Sequence, residues 1–220
     1  TDAVLPALGR MATGRRRLAG TPGLRFAKLL GTGSGETFSP RDADPAHWAL
    51  LTVWDDEASR AAFASSPVVA SWQRAATEEL VASLTPLTSR GRWSGVEPFA
   101  PTPERPGDGE RWRGPVAAIT RARLRTLRMP SFHRAVPPVA DDLRSAEGLR
   151  MSVGVGESPV GLQGTFSVWE STDALVGFAY RSAAHREVVR RTAPARWYAE
   201  EMFARFAVTG LSGTYRGETP

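Results

Sequence analysis

The chain has 220 residues, of which 41% are hydrophobic and 23% charged, and its formal net charge is +5 at pH 7; this is typical of a globular protein with one or two cores. It contains no cysteine, which excludes disulfides, thiolate catalysis, cysteine zinc sites and thiolate-bound iron. No apolar run is long enough to span a bilayer and no secretion leader is visible, so we expect a cytoplasmic protein without a membrane span.

The first half of the chain predicts a helix, two strands, a second helix and a third strand. The run FAKLL, which begins at Phe26, is short, apolar and closed by glycine, as strands often are. The run ALLTVW, which ends at Trp54, alternates like a second strand. Acidic residues from Asp55 to Glu57 then signal a helix N-terminus, and apolar periodicity continues through Phe63.

The middle of the chain is a predicted linker. The segment EPFAPTPERPGDGERWRGP, from Glu97 to Pro115, is rich in proline, glycine and charge. We therefore divide the chain into an N-terminal unit at 1–95, a linker at 96–114 and a C-terminal unit at 115–220.

The second half of the chain predicts the same elements after an additional opening strand. That strand is PVAAITRARL, from Pro115, and MSVGV and TFSVW follow it as further strands. Residues Ser171 to Asp173 after Trp169 signal the next helix. The order β-α-β-β-α-β is that of a ferredoxin-like unit.

An internal repeat supports this division. Gly23 of GLRFAKLLGTG corresponds to Gly148 of GLRMSVGVGES, an offset of 125 residues, and the segment Trp48 to Phe63 corresponds to Gln163 to Phe178 at an offset of 115. The first copy therefore has a longer loop, which SGETFSPRDADP contains. We predict an α+β fold of two ferredoxin-like repeats, whose sheets pack face to face or form a barrel.

The first copy lacks the residues for an opening strand. With an offset of 125, Thr1 corresponds to Thr126, which lies just after the opening strand of the second copy. We expect either a strand encoded upstream of Thr1 or a first sheet with one strand fewer.

Long stretches of the chain resemble the spheroidene monooxygenase family, in order and over nearly the whole length: GLRFAKLLGTGSG, WALLTVWDD, AVPPVA, GVGESPVGLQGTFSVWES, FAYRSAAHREVVRRT and WYAEEMFARFAV. The resemblance implies a haem b protein of the dimeric α/β-barrel type that oxygenates a carotenoid. We expect the C-terminal unit to bind the haem, and expect a haem-dependent monooxygenase that acts on a small or apolar molecule with electrons from an unidentified donor.

Other functions stay open at this level, because a fold does not determine its chemistry. One is a haem dehydratase or a peroxidase-like enzyme. Another is a haem carrier or sensor without enzymatic activity, and a third is a ligand-binding barrel without haem. The sequence also leaves open whether the chain forms a homo-oligomer.

A histidine ligand for the iron is sought among three residues, because no thiolate is available. His47, in PAHWAL, is interpreted as a solvated turn residue, and His133, in PSFHRAVPPV, as a surface or capping residue near the start of a helix. His185 lies on the apolar face of SAAHREVVRR, where the sister repeat has Val69. A first-turn position disfavours imidazolium, and neutral imidazole binds metals. His185 is thus the predicted haem ligand; the alternative is a core histidine bonded to a backbone carbonyl.

Two further groups are assigned to the haem pocket. The first is a set of arginines that could pair with haem propionates: Arg181, Arg186 and Arg190. The second is a set of aromatic residues that could form an apolar wall: Phe166, Trp169 and Phe178. Solvated helix faces and an ordinary core would show the same patterns.

Polar strand faces supply the candidate catalytic residues. Gln163 lies on the polar face of QGTFSVW, and Arg121 and Arg123 share a face of AITRARLRT. Such a face is exposed to solvent or lines a cavity, where an arginine or glutamine beside haem could bond bound oxygen.

Lys28 is the only lysine in the chain, and it lies inside the strand FAKLL where the other repeat has Val153. A buried lysine is rare unless it is paired. Its ammonium therefore extends to solvent or meets a carboxylate, such as a propionate or an acidic substrate, and Lys28 is the fourth candidate catalytic residue.

Arginine carries the remaining positive charge, with six arginines between Arg111 and Arg128. A nucleic-acid surface needs stacking aromatics as well as charge, and Trp112 is the only aromatic residue in this run. We interpret these arginines as solvated and expect a small-molecule substrate and no nucleic-acid partner.

Overall fold

The computed structural model describes residues 4–37, 40–100, 112–157 and 162–220. These residues form seven strands: β1 (Leu24–Gly33), β2 (Ala43–Trp54), β3 (Leu80–Gly91), β4 (Val116–Leu124), β5 (Leu149–Gly156), β6 (Leu162–Trp169) and β7 (Tyr198–Gly213). They also form six α-helices: α1 (Val4–Leu18), α2 (Glu57–Ala64), α3 (Pro67–Gln73), α4 (Met129–Arg144), α5 (Thr172–Arg181) and α6 (Ala183–Ala195). Two short 3₁₀ turns lie at Pro40–Asp42 and Thr126–Arg128.

All seven strands belong to one antiparallel sheet, in the order β2-β1-β5-β6-β4-β7-β3. The predicted α+β class is confirmed. The two halves of the chain share the sheet, since β1 pairs with β5 and β3 pairs with β7. Strands β2 and β3 are its two edges.

The sheet curves strongly, so its two edges come close together. A flat sheet would separate the edge strands by six spacings, or about 29 Å. Instead His47 of β2 lies 2.7 Å from the carboxylate of Glu78, two residues before β3 begins. Side chains from all seven strands accordingly meet in one apolar core, which includes Leu30, Trp93 and Val168.

The two halves repeat the same local structure, which begins with β1 in the first half and with β5 in the second. Each has two antiparallel strands, two helices and a long strand. The helix caps match as well: Asp56 caps α2 and Ser171 caps α5, while Ser66 caps α3 and Ser182 caps α6. Each cap side chain accepts a bond from a helix N–H three residues later, which satisfies an otherwise unpaired donor.

A second, smaller core lies between the other face of the sheet and the helices. Leu124 of β4 packs there with Phe132 and Val136 of α4 and with Trp197 at the end of α6. Alternation along β4 separates the two cores, because Ile119 belongs to the first and Leu124 to the second. The sheet therefore has an inner, concave face and an outer face covered by helices.

The predicted linker is only partly described. Phe99, at its beginning, is 2% exposed and packs edge-on against Trp93 and Phe206 of the inner core. Residues 101–111 lie outside the described residues. No helix in the described part of the chain is both long and apolar enough to cross a membrane.

Candidate functional site

His185 lies in the first turn of α6, three residues after its Ser182 cap. Its Nδ1 is 3.1 Å from the carbonyl oxygen of Ala179. Since a carbonyl only accepts, Nδ1 carries a hydrogen, and in the neutral tautomer Nε2 then has the free lone pair. Metal-binding histidines commonly donate their other ring N–H to such a carbonyl. The hydrogen bond to the carbonyl is what a core histidine would make, and it also leaves Nε2 available as a metal ligand. The geometry therefore suits both interpretations of His185.

Of the three predicted wall aromatics, Phe178 lies beside His185 and Trp169 packs against Phe178. The ring of Phe178 is centred 5.4 Å from the imidazole and 5.4 Å from the ring of Trp169. Trp169 is on the outer face of β6, where its indole N–H donates to Ser167. Phe166, by contrast, packs with the inner core. The prediction that all three share one wall is wrong, because successive strand residues point to opposite faces.

A cavity of about 230 Å³ adjoins the junction of α5 and α6. The lining includes Phe178, Arg181 and Ser182 of the α5–α6 junction, together with Asp142 of α4 and Glu147, which follows α4. The volume is below the roughly 300 Å³ at which pockets for drug-sized ligands begin. The carboxylates of the cavity also oppose the approach of another anion.

The three predicted propionate partners do not converge. Arg181 lines the cavity, and Gly177 leaves space for it, since a Cβ there would lie 2.6 Å from an Arg181 nitrogen. Arg186 donates to the carbonyl of Tyr180, and Arg190 donates to Glu187. Only Arg181 of this set adjoins the cavity near His185.

The residues present fit a haem iron in one respect and not in another. His185 supplies an imidazole whose Nδ1 is bonded to a carbonyl, which leaves Nε2 for a metal, and a haem iron needs only one protein ligand. Within the described residues, no cluster of three or more histidine, aspartate or glutamate side chains could hold a metal ion by itself. The surrounding arginines do not form a propionate clamp.

His133 provides an internal comparison for His185. It lies on α4, and its Nδ1 is 3.1 Å from the carbonyl oxygen of Thr37. Both histidines are half-buried, and each contacts a phenylalanine, Phe132 in the case of His133. The interpretation of His133 as a surface or capping residue is therefore wrong, because a tertiary hydrogen bond fixes its ring.

The inner face of the sheet holds a separate network of charged groups. Lys28 donates to Glu157 at 2.5 Å and to Ser94 at 2.6 Å. Arg121, whose side chain is 4% exposed, donates to Glu157 at 2.8 Å and also to Glu200. We call these four charged residues, Lys28, Arg121, Glu157 and Glu200, the inner ion network.

Further contacts complete the inner ion network. The indole N–H of Trp93 donates to Glu157 at 2.7 Å, and the Arg121 guanidinium lies 5.5 Å from the centre of that indole ring. Burial raises the pKa of Glu157, but hydrogen bonds from Lys28, Trp93 and Arg121 outweigh it and hold that pKa below the ordinary value. Glu200 behaves alike, with N–H donors from Ser94 and Gly95. Both carboxyls are thus held ionised.

The sheet separates this network from His185. Lys28 shares the inner face with Leu30, and Arg121 shares it with Ile119. The prediction that an inner arginine stands beside a haem on His185 is therefore wrong for Arg121, and for Arg123 on the same strand face. Lys28 does meet a carboxylate, but that carboxylate belongs to Glu157 of the chain itself.

Gln163 lies on the other side from the predicted arginines. It pairs across the sheet with Ala122, whereas Arg121 pairs with Gly164, and paired residues share a face. Ala122 belongs to the outer core. Gln163 is thus the one candidate catalytic residue on the helix-covered face, where His185 also lies.

The comparison with known proteins identifies the family. The chain is 34% identical over 215 residues to the spheroidene monooxygenase of Rhodobacter capsulatus, which covers 97% of this chain and 87% of that protein. The chain belongs to the spheroidene monooxygenase family. Members from Cereibacter sphaeroides and Rubrivivax gelatinosus are 31% and 36% identical, over 97% and 95% of this chain and 64% and 78% of their own lengths.

Other comparisons add little to this family assignment. No protein-family model matches the chain. A solved structure from Fusobacterium nucleatum aligns at a TM-score of 0.44 and 10% identity, over 94% of this chain and 88% of that one. A likeness at this level carries no argument about fold or activity.

In this family member, sequence reasoning missed the acidic half of the inner ion network. At the repeat offset of 125 residues, Glu157 corresponds to Thr32 and Lys28 to Val153. Two neighbouring strands therefore depart from their repeat partners with opposite charges. That comparison, which singled out His185, would also have indicated the Lys28–Glu157 pair. The repeat comparison did not single out Glu200 in this way.

His47 was also misinterpreted, because its partners come from distant parts of the chain. Its ring nitrogens lie 2.9 Å from Asp44 and 2.7 Å from Glu78. Partial burial lowers the pKa of His47, but these two hydrogen bonds outweigh it, so the pKa is raised above its ordinary value. Bonds from the N–H of Gly217 and from His47 lower the pKa of Glu78 to about 2. His47 thus joins the two edges of the sheet and is not a solvated turn residue.

Proposed function

We propose that the chain is a haem-dependent monooxygenase that oxygenates a carotenoid. The observation that carries the proposal is the match to named spheroidene monooxygenases along nearly the entire chain. Insertion of one oxygen atom from O₂ with reduction of the other to water consumes two electrons, so a separate electron donor is part of the proposal.

Haem b is the proposed cofactor, with His185 as its protein ligand. Haem supplies oxygen activation when it is bound. His185 would hold it through Nε2, while the bond from Nδ1 to the Ala179 carbonyl fixes the ring. Phe178 would form part of the apolar wall, and Arg181 is the one arginine of the set that a propionate could reach, in competition with Asp142 and Glu147 of the same cavity. Gln163 is the polar strand residue proposed for the same side of the sheet.

The architecture we propose is a barrel of two ferredoxin-like repeats in one chain. The second half contains the complete element order β-α-β-β-α-α-β, and the first half contains the same order from β1 onward. In the second half, β4 lies between β6 and β7. The edge strands β2 and β3, which correspond to β6 and β7, come close together where His47 bonds to Glu78.

The haem proposal is tested by absorption spectroscopy of the purified protein after haem addition. Wild-type protein should show a Soret band, and His185→Ala should abolish or strongly weaken it because the iron loses its ligand. His133→Ala is the matched control, since both side chains are half-buried and bonded to a carbonyl at 3.1 Å. An unchanged spectrum in His185→Ala would show that the ligand assignment is wrong.

The activity is tested separately with spheroidene, O₂ and a reducing system, with product detection by mass. A product heavier by one oxygen atom, labelled when ¹⁸O₂ is used, is the expected result. Loss of this product in His185→Ala and its retention in His133→Ala would tie activity to the proposed ligand. A haem-loaded protein that leaves spheroidene unchanged would refute the substrate while leaving the cofactor proposal standing.

A further inference from the structure

One corner of the molecule combines an exposed leucine with arginines. Leu127 lies in the 3₁₀ turn Thr126–Arg128, between β4 and α4, and is 94% exposed. It is the most exposed of the large hydrophobic side chains in the described parts of the chain. A single exposed apolar side chain is not unusual, so the significance of Leu127 depends on the charged groups around it.

Four exposed arginines surround this turn. Arg125 and Arg128 flank Leu127 in sequence, and the Arg125 N–H donates to the carbonyl of Trp197. The end of α6 therefore lies beside the turn, with Arg191 placed 5.5 Å from the Trp197 ring centre and Arg196 next to Trp197 in the chain. We call Leu127 together with these arginines, Arg125, Arg128, Arg191 and Arg196, the basic corner.

The charge of the basic corner is not neutralised by carboxylates in the described parts of the chain. Among the described residues, none of its four arginines forms an ion pair with a carboxylate, whereas Arg60, Arg144 and Arg190 all do. Of the nearest carboxylates in sequence, Glu187 is bound to Arg190, Glu200 is bound to Arg121 on the inner face, and Glu201 is half-buried on β7. The corner therefore presents about four positive charges to an external partner.

From this combination we propose that the basic corner docks on an anionic lipid bilayer. Its arginines would contact the headgroups while Leu127 enters the apolar layer, as at other interfacial protein surfaces. A nucleic acid is the weaker match to the charge, because single strands bind through stacking on exposed aromatic rings, and the indole of this corner, Trp197, is completely buried.

Docking on a bilayer would serve the proposed oxygenation of a carotenoid. Only this purpose rests on the proposed function; the docking itself is argued from the basic corner. A carotenoid is apolar and partitions into lipid, so an enzyme without a membrane-crossing helix in its described residues gains access to it by binding the bilayer surface. The His185 helix, α6, ends in the basic corner, so the proposed ligand would lie about 15 Å along the helix from the docked surface.

The test is co-sedimentation of the purified full chain with vesicles of phosphatidylcholine alone or with about one-third phosphatidylserine. An arginine near an anionic surface contributes ~1 kcal/mol, or about fivefold in binding. The double variant Arg128→Gln/Arg196→Gln should therefore bind anionic vesicles about 25-fold more weakly. Leu127→Ser should weaken binding about tenfold or more through lost apolar burial. These side chains are exposed, so the fold should be retained, and circular dichroism checks it.

The matched control is Arg60→Gln/Arg144→Gln, which removes the same charge from arginines that already pair with carboxylates. It should bind as wild type within about twofold. Equal losses in both double variants would show a general charge effect and overturn the proposal. Absence of binding to anionic vesicles would also overturn it, as would tighter binding to a single-stranded oligonucleotide that Leu127→Ser leaves unchanged. Because the assay needs neither carotenoid nor turnover, its failure is distinguishable from failure of the oxygenase proposal.

Discussion

Replacing Arg121 by methionine removes the cation at the centre of the inner ion network. Methionine retains much of the side-chain bulk, but Glu157 and Glu200 both lose a charged donor. Glu157 keeps Lys28 and Trp93, and Glu200 keeps two backbone N–H donors. Removal of one partner of a buried ion pair costs roughly 3–5 kcal/mol. Because the remaining donors compensate in part, we expect the free energy of unfolding to fall by about 3 kcal/mol.

The assay is urea and thermal unfolding of both proteins at neutral pH. For a chain of this size a loss of ~3 kcal/mol lowers the melting temperature by about 6–12 °C. Arg123→Met is the matched control, because Arg123 lies two residues further along the same strand face but is exposed. It should change stability by less than about 0.5 kcal/mol. Equal stability of the two variants would refute the argument that the inner ion network stabilises the fold.

The pH dependence provides a second test of the same prediction. The pKa values of Glu157 and Glu200 are lowered in the folded protein, so their stabilisation is present above the unfolded pKa and is lost as pH falls through the folded pKa. Arg121→Met raises both pKa values. The stability difference between the variant and wild type should therefore be largest near neutral pH and shrink below about pH 4. A difference that stays constant on acidification would contradict this explanation.

Three further predictions follow from other contacts. Lys28→Met removes the ammonium bonded to Glu157 and should lower the free energy of unfolding in urea by about 1–2 kcal/mol. It should leave the Soret band unchanged, because the proposed haem ligand lies on the other side of the sheet. Because the pKa of His47 is raised, its stabilisation is complete below the unfolded pKa and lost as pH rises through the folded one. The melting temperatures of wild type and His47→Gln should therefore differ more at about pH 6 than at about pH 9. Gly91→Ala should destabilise more than Gly95→Ala in thermal unfolding: both glycines have positive φ, but only at Gly91 would a Cβ meet backbone, 2.2 Å from a carbonyl oxygen of β7.

Local features of the structure could be predicted from the sequence. Strand runs, helix caps and the repeat depend on residues close together in the chain, so alternation and capping patterns indicated β1, β5 and the starts of the helices. The position of His185 in the first turn of α6, opposite Val69 in the other repeat, followed from the same local rules. The α+β class followed from the order of these elements.

The face of the sheet on which a polar side chain functions could not be predicted from alternation alone. Alternation states that Arg121 and Arg123 share a face, but not which face the helices cover. Only the order of strands in the sheet decided that Lys28 and Arg121 meet inside while Gln163 lies outside. The assignment of all four to one site was wrong for that reason.

The sequence by itself thus determined the local elements, the repeat, the family and the candidate ligand His185, because each depends on short segments or on likeness to related chains. Only the tertiary structure decided the partners of His47, Lys28 and Arg121. Their carboxylates lie 31, 129 and 79 residues away along the chain. Such partners are brought within hydrogen-bond distance by the curvature of the sheet and the pairing of strands from both halves, which no local pattern of residues encodes.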